Sequence, residues 1–258
     1  MQKGFDISDP FFYNLMSKQF GLIGKKLGHS FSKDFFEKKF QLLNLDATYR
    51  NFELERIEDV KSLFADPTIE GLNVTIPYKQ SVIPFLDSLD PVAERVGAVN
   101  CIQLKNGKSK GFNTDVFGFS QAIKPFLESH HERALILGTG GASKAVEFVL
   151  AELGVAVFFV SRTPKNDNQF SYADINENMV RSCGIIVNTT PVGMYPEINE
   201  CPEFPFEYLN PTHLVMDLIY NPKETELLKR AKAAGASVIN GESMLFQQAE
   251  KSWEIWNS

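Results

Sequence analysis

The stretch Ala134-Leu135-Ile136-Leu137-Gly138-Thr139-Gly140-Gly141-Ala142-Ser143 is followed, one helix-length later, by Val157-Phe158-Phe159-Val160-Ser161-Arg162-Thr163. An apolar strand runs into a glycine turn, a helical pattern opens near Ala142, and a second apolar strand ends in polar and basic residues. This is the layout of a mononucleotide-binding βαβ unit. Gly138 and Gly140 permit a tight turn and a close backbone approach to a pyrophosphate, whose charge would sit at the helix N-terminus. The loop Gly138, Thr139, Gly140, Gly141 and Ala142 is therefore the candidate cofactor contact; taken alone, it is equally a plain strand-to-helix turn. The second strand end adds direction. Ser161, Arg162 and Thr163 offer two hydroxyls and a guanidinium to a 2′-phosphate, where an NAD site carries an acid for the ribose hydroxyl. The expected cofactor is NADP.

Working outward, the alternation of strand and helix continues on both sides of this unit. Residues 20–24 read as a buried strand, 30–43 as an amphipathic helix capped by Ser30 or Ser32, 47–52 as a strand, 56–65 as a helix and 69–74 as a strand. Helices between strands favour a mostly parallel sheet. Asn106-Gly107, flanked by 98–104 and 110–112, signals a hairpin that closes a first domain. A helical pattern at 116–128 leads into strand 133–137, helix 141–153, strands 155–161, 184–188 and 213–218, helix 223–235, strand 236–239 and an amphipathic stretch at 242–256. The expected architecture is α/β with two lobes and a cleft between them. Residues 1–115 form a mostly parallel substrate-binding and catalytic domain, completed by a C-terminal helix at 242–258. Residues 116–241 form a Rossmann-type dinucleotide domain. Residues 1–15 fall outside this rhythm and read as an extension.

Composition narrows the partners. The chain has 258 residues, enough for a sizeable core, and a formal net charge of −6 with no basic block, which gives nucleic acid or an anionic membrane little to bind. A small molecule is the expected partner, with a monomer or a homodimer as the assembly. Cys101, Cys183 and Cys201 are odd in number and lack metal-ligand spacing, so no metal site or disulfide framework is expected. No apolar run is long enough for a membrane span and the start lacks a secretory pattern, so the expected location is the cytoplasm.

The chemistry-bearing candidates lie elsewhere. Asn73-Val74-Thr75-Ile76-Pro77-Tyr78-Lys79 leaves a strand at its carboxyl end, where open α/β sheets bind ligands. A capped turn with a solvated lysine is the other reading. Asn113-Thr114-Asp115 leaves a second strand, and Asp115 either caps the next helix or pairs with a lysine as an acid–base couple. Ser30, Ser32, Asn100, Tyr220 and Gln248 could serve a polyol or carboxylate. Each also has an ordinary explanation as cap, turn residue, interfacial ring or solvated helix position. His29 reads as a packed or capping residue, and no second histidine or cysteine completes a triad. Asn188-Thr189-Thr190-Pro191-Val192-Gly193-Met194 ends a strand of the dinucleotide lobe, either as a polar loop or as a wall along the cofactor.

These segments, with Gly28-His29-Ser30-Phe31-Ser32, Gly97-Ala98-Val99-Asn100, Asp217-Leu218-Ile219-Tyr220 and Met244-Leu245-Phe246-Gln247-Gln248-Ala249, resemble the shikimate dehydrogenase family from about residue 20 onward. The resemblance implies reversible NADP-linked reduction of 3-dehydroshikimate to shikimate, on the route to chorismate and aromatic amino acids. It implies that Lys79 and Asp115 are the catalytic pair. Ser30, Ser32 and Tyr220 would take the substrate carboxylate, and Thr75, Asn100, Asp115 and Gln248 its ring hydroxyls. Thr190, Leu218 and Gly241 would join the glycine loop and Ser161-Arg162-Thr163 around NADP. The chain departs from the family pattern at Lys26 and Lys33, where prolines are usual, at Ser161, where asparagine is frequent, and at Asn166, where a second arginine is common. Two alternatives remain open: a quinate/shikimate dehydrogenase with relaxed or NAD cofactor use, and a catalytically silent NADP-binding sensor.

Overall fold

The computed structural model describes residues 17–28 and 30–258; the leading extension and His29 lie outside the described residues. The chain forms two compact units, one ending at Phe112 and rejoined by Ser252–Ser258, the other Asn113–Lys251. Each is an α/β layer structure.

In the first unit β1 (Lys18–Gly24), α1 (Phe31–Leu42), β2 (Ala47–Glu53), α2 (Val60–Phe64) and β3 (Ile69–Val74) follow one another. After β4 (Ser88–Leu89) and α3 (Pro91–Val96) come β5 (Cys101–Lys105) and β6 (Lys108–Phe112). The sheet order is β2-β1-β3-β5-β6-β4. β1 pairs in parallel with β2 and β3, whereas β5 runs antiparallel to β3 and β6. The hairpin turn is where the sequence places it, with Asn106 and Gly107 at φ 55° and 71° as a two-residue turn demands. It does not close the sheet, because β4 pairs in parallel outside β6. The helix expected at 56–65 is shorter, a 3-10 turn at Ile57–Asp59 leading into α2.

Two faces of this sheet are buried differently. Ile23, Leu72, Val74, Val60 and Ile102 form an aliphatic core on one side. On the other, Phe36 stacks on Tyr49 at 4.8 Å and packs on Trp256 at 5.0 Å, with Phe20 also 5.0 Å from Trp256. Trp256 donates its indole N–H to the Ile102 carbonyl at 3.0 Å, so the large ring is buried without an orphan donor. Gly71 makes room for it. A Cβ on Gly71 would come 2.5 Å from Trp256 Cε2.

The second unit carries α4 (Thr114–Ile123), β7 (Arg133–Leu137), α5 (Gly141–Glu152), β8 (Ala156–Val160), β9 (Gln169–Phe170) and α6 (Glu177–Ser182). Then follow β10 (Ile185–Asn188), β11 (Leu214–Asp217), α7 (Glu226–Ala233), β12 (Ser237–Ile239) and α8 (Glu242–Trp256), whose last residues belong to the first unit. The six strands order as β9-β8-β7-β10-β11-β12, all parallel. That is the 3-2-1-4-5-6 arrangement of a doubly wound dinucleotide fold, reversing between β7 and β10. Alternation along the strands feeds two cores. Ala134, Ile136, Ile185, Val187, Leu214 and Met216 face one, and Leu135, Leu137, Ile186 and Val215 face the other. α4 starts earlier than expected, at Thr114, and its regular turns stop at Ile123 because Pro125 cannot continue them. α7 is shorter than expected, beginning where Thr225 caps it. No helix among the described residues is long and apolar enough to cross a membrane.

Gly71→Ala should lower stability by about 1–3 kcal/mol in chemical denaturation, because the indole has no room to retreat. Combining it with Trp256→Leu should cost less than the sum of the two single changes.

Candidate active site

The second unit gathers its polar loops at one edge. Gly138 follows β7, Ser161 follows β8, Thr190 follows β10, Leu218 follows β11 and Gly241 follows β12, so these loops share the carboxyl edge of a parallel sheet. Gly138 has φ +102°, and a Cβ there would meet Thr189 Oγ1 and Thr190 Cγ2, each at 2.9 Å. Thr189 in turn donates its hydroxyl to the Leu137 carbonyl at 2.8 Å, which presses the loop after β10 against the end of β7. Gly140 occupies the N-cap position of α5 with no side-chain cap, and a Cβ on it would meet nothing within 4 Å. The helix thus presents first-turn N–H groups of Gly141 and Ala142 beside open space, the arrangement that accepts a diphosphate. Ser143, buried, donates its hydroxyl to the Gly140 carbonyl at 2.7 Å and ties the loop to the helix.

At the end of β8, Arg162 and Thr163 are exposed and Ser161 is half-buried. The Ser161 hydroxyl is not simply offered outward. It accepts from Thr163 N–H at 3.2 Å and donates to Thr163 O at 3.3 Å, so it shapes the turn that presents Arg162. Arg162 also lies close enough to Tyr172 to offset part of the rise that burial gives that phenol.

Sequence reasoning did not identify what holds the other loops. Asn188 and Asp217, wholly buried at the ends of β10 and β11, form a polar ladder. Asn188 Oδ1 accepts from the Thr190 hydroxyl at 2.7 Å and the Thr190 N–H at 3.0 Å, while its amide donates to Asp217 at 3.0 Å. Asp217 also accepts from Ile219 N–H at 3.0 Å and from the Thr225 hydroxyl at 2.7 Å. Burial raises the Asp217 carboxyl to about 6, opposed by these donors from Thr225, Ile219 and Asn188. Leu218 N–H bonds the Asn188 carbonyl at 3.1 Å and Gly241 N–H the Ile219 carbonyl at 3.0 Å. A side chain at Gly241 would strike the Leu218 carbonyl, so only glycine allows this approach. Thr190, Leu218 and Gly241 are thereby locked to one another through backbone and buried side chains.

Asp115 is buried in the first turn of α4 but does not cap it; Asn113 does, accepting from Val116 N–H at 3.3 Å. Gln248 on α8 is not a solvated position. It is buried, donates to the Leu245 carbonyl at 2.9 Å and accepts from Thr114 Oγ1 at 3.4 Å. Gly118 allows α8 to come this close, since a Cβ there would lie 2.5 Å from the Met244 carbonyl. Tyr220, half-buried, follows β11 in the same unit.

In the first unit the polar candidates also share an edge. β1 and β3 end there, and the start of β5 and the end of β6 lie beside them, with Asn73 opposite Cys101 and Cys101 opposite Phe112. Thr75 and Lys79, both half-buried, lie in the turn after β3, where Thr75 N–H bonds the Ile23 carbonyl at 2.9 Å and the Lys79 carbonyl accepts from Val99 N–H at 2.7 Å. The lysine is therefore not the solvated surface residue that the turn alone suggests. Asn100 is buried and held by its backbone, donating to Phe112 O at 3.0 Å and accepting from Val74 N–H at 2.9 Å. Ser30 sits at the N-cap position of α1 without forming a side-chain cap, and Ser32 is buried in the first turn of that helix. An uncapped helix start carrying two hydroxyls is chemically suited to a carboxylate. Lys33 beside it pairs with Glu37 at 3.8 Å.

Comparison with known proteins matches both units. A family profile described as the shikimate dehydrogenase substrate binding domain matches residues 22–102. The NADP(+) shikimate dehydrogenase of Methanosphaera stadtmanae is 38% identical over 255 residues, covering 92% of this chain and 90% of that one. The crystal structure of shikimate 5-dehydrogenase from Thermus thermophilus in complex with NADP(H) and shikimate has a TM-score of 0.81 at 30% identity, covering 93% of each chain. Quinate dehydrogenase from Corynebacterium glutamicum in complex with NAD has a TM-score of 0.80 at 28% identity, also covering 93% of each chain.

The Asp217 ladder has a measurable signature. A carboxyl whose folded value is raised above its unfolded value near 3.8 to about 6 binds more protons folded than unfolded, so its contribution to stability is full below pH 4 and is lost as pH rises through 6. Denaturation midpoints of Asp217→Asn should lack this slope relative to wild type, a difference of up to roughly 3 kcal/mol between pH 4 and 7. Asp217→Ala, which leaves three buried donors without an acceptor, should cost about 2–4 kcal/mol at any pH.

Proposed function

The chain belongs to the shikimate dehydrogenase family, and from that premise we propose that it catalyses the reversible NADPH-dependent reduction of 3-dehydroshikimate to shikimate. It is an NADP-dependent oxidoreductase acting on a CH–OH group. The observation that carries the reading is identity of 38% over almost the whole chain with an NADP(+) shikimate dehydrogenase, together with a set of polar loops at one strand edge in each unit. In domain terms, residues 1–115 with 242–258 bind substrate and residues 116–241 bind the dinucleotide.

The glycine loop fits the cofactor by its geometry: Gly140 leaves the space that a Cβ would fill, and α5 aims uncapped N–H groups into it. In our reading Gly138, Thr139, Gly140, Gly141 and Ala142 bind the diphosphate, Ser161, Arg162 and Thr163 the 2′-phosphate, and Thr190, Leu218 and Gly241 flank the rest. NADPH held there would supply the hydride. Ser30, Ser32 and Tyr220 hold the substrate carboxylate, and Thr75, Asn100, Asp115 and Gln248 orient the ring through its hydroxyls. Lys79 hydrogen-bonds the reacting oxygen and delivers a proton to it, and Asp115 orients the ammonium. The same positive charge stabilises the developing alkoxide before the proton moves. The protein works as a monomer or homodimer in the cytoplasm.

The fold alone does not choose between shikimate and quinate, because a quinate dehydrogenase shares it with a TM-score of 0.80. The choice of NADP rests on Arg162, which stands where an NAD enzyme needs an acid. An assay of shikimate and quinate against NADP and NAD should give the fastest turnover with shikimate and NADP. Preference for quinate with NAD would select the alternative, and no turnover with any combination would leave a silent binding protein. Lys79→Ala should lower kcat by roughly 100-fold or more while NADP binding, read by fluorescence titration, persists. Arg162→Ala should raise the NADP KM about tenfold and leave the NAD KM nearly unchanged.

A further inference from the structure

The loop that leads from β1 to Ser30 and Ser32 has little main chain to hold it. Among the described residues, no backbone–backbone hydrogen bond fastens Lys25, Lys26, Leu27 or Gly28. Side chains do this instead. Glu53, the last residue of β2, accepts from Leu27 N–H at 2.7 Å, the short distance of a charge-assisted bond. Asn51 adds a longer contact, 3.4 Å from its amide to the Gly28 carbonyl. The Leu27 side chain is buried, and a Cβ on Gly24 would meet both Leu27 Cδ2 and, at 2.9 Å, Thr75 Cγ2. The loop is thus pressed toward Thr75 and tied at one N–H. The strand end that ties it is itself fixed. Leu54, the residue after Glu53, donates its N–H to the Gly24 carbonyl at 2.9 Å and accepts the Tyr78 phenol proton at 2.5 Å. It is therefore bound both to the end of β1 and to the turn that carries Lys79.

By charge alone, an exposed acid beside a carboxylate-binding loop repels an anionic substrate. What Glu53 offers the site is its acceptor oxygen. On the reading that Ser30 and Ser32 take the substrate carboxylate, we propose that Glu53 is a positioning residue for substrate binding, holding Leu27 and thereby placing the two hydroxyls. It acts through the loop and not on the substrate. Without it, the entropy of ordering the loop is added to the binding step. Lys79 stands on a different turn, held by other bonds, so the chemical step is spared.

In the full chain at saturating NADP, Glu53→Ala should raise the shikimate KM and the calorimetric Kd about three- to tenfold, with kcat held within about twofold. Glu53→Gln keeps the acceptor and removes the charge, so it should bind shikimate within about twofold of wild type, or more tightly. A residue serving stability alone would lower the denaturation midpoint and leave the KM of the folded enzyme unchanged. With Ser32→Ala weakening shikimate as expected, wild-type affinity in Glu53→Ala overturns the proposal, and so does equal weakening in Glu53→Gln and Glu53→Ala. Wild-type affinity in Ser32→Ala overturns instead the carboxylate assignment beneath it. If Glu53→Ala does not fold, Glu53→Asp, one methylene short of Leu27, should weaken shikimate at unchanged kcat, and wild-type affinity there overturns the proposal.

Discussion

Parallel strand pairing is the constraint on which the second unit depends. A parallel strand can be re-entered only by carrying the chain back across the sheet, so every carboxyl end collects on one edge. Gly138, Ser161, Thr190, Leu218 and Gly241 lie far apart in sequence and share that edge for this reason. The order reverses between β7 and β10, and there the Thr189 hydroxyl reaches the Leu137 carbonyl. A Cβ on Gly138 would collide with that same loop, so the glycine serves the packing of two loops as much as the approach of a phosphate.

Both units solve the same difficulty beneath their polar edges. Loops that present side chains to a ligand need an anchor, and a buried polar anchor is costly unless all its partners are supplied. In the second unit Asn188, Asp217 and Thr225 supply one another, and Asp217 accepts three hydrogen bonds while burial works against its charge. In the first, Tyr49, Asn73 and Ser252 form a second buried chain. A polar network of this kind fixes geometry, and it also commits protons.

Much of the fold was readable because its signals are local. The apolar runs at β7, β10 and β11, the Asn106-Gly107 turn and the glycine loop each combine a period or a backbone preference with a short span. The site residues were readable only as types at strand ends. Asp115 and Ser30 each had an ordinary explanation as helix caps. The structure gives the first cap to Asn113 and finds no side-chain cap from the second. The two-residue strands Ser88–Leu89 and Gln169–Phe170 were missed because a ladder that short leaves no alternation to detect.

By itself the sequence determined the α/β class, the glycine turn, the basic residue at the end of β8 and the order of polar segments, because each is a property of neighbouring residues along the chain. Tertiary structure alone decided that Asn188, Asp217 and Thr225 would meet, that Gly71 would yield space to Trp256, and that the Tyr49 phenol would reach Asn73. Those outcomes depend on which distant groups burial forces into hydrogen-bonding or van der Waals range. No periodicity in the chain encodes that choice; it is made only when the sheets close over their cores.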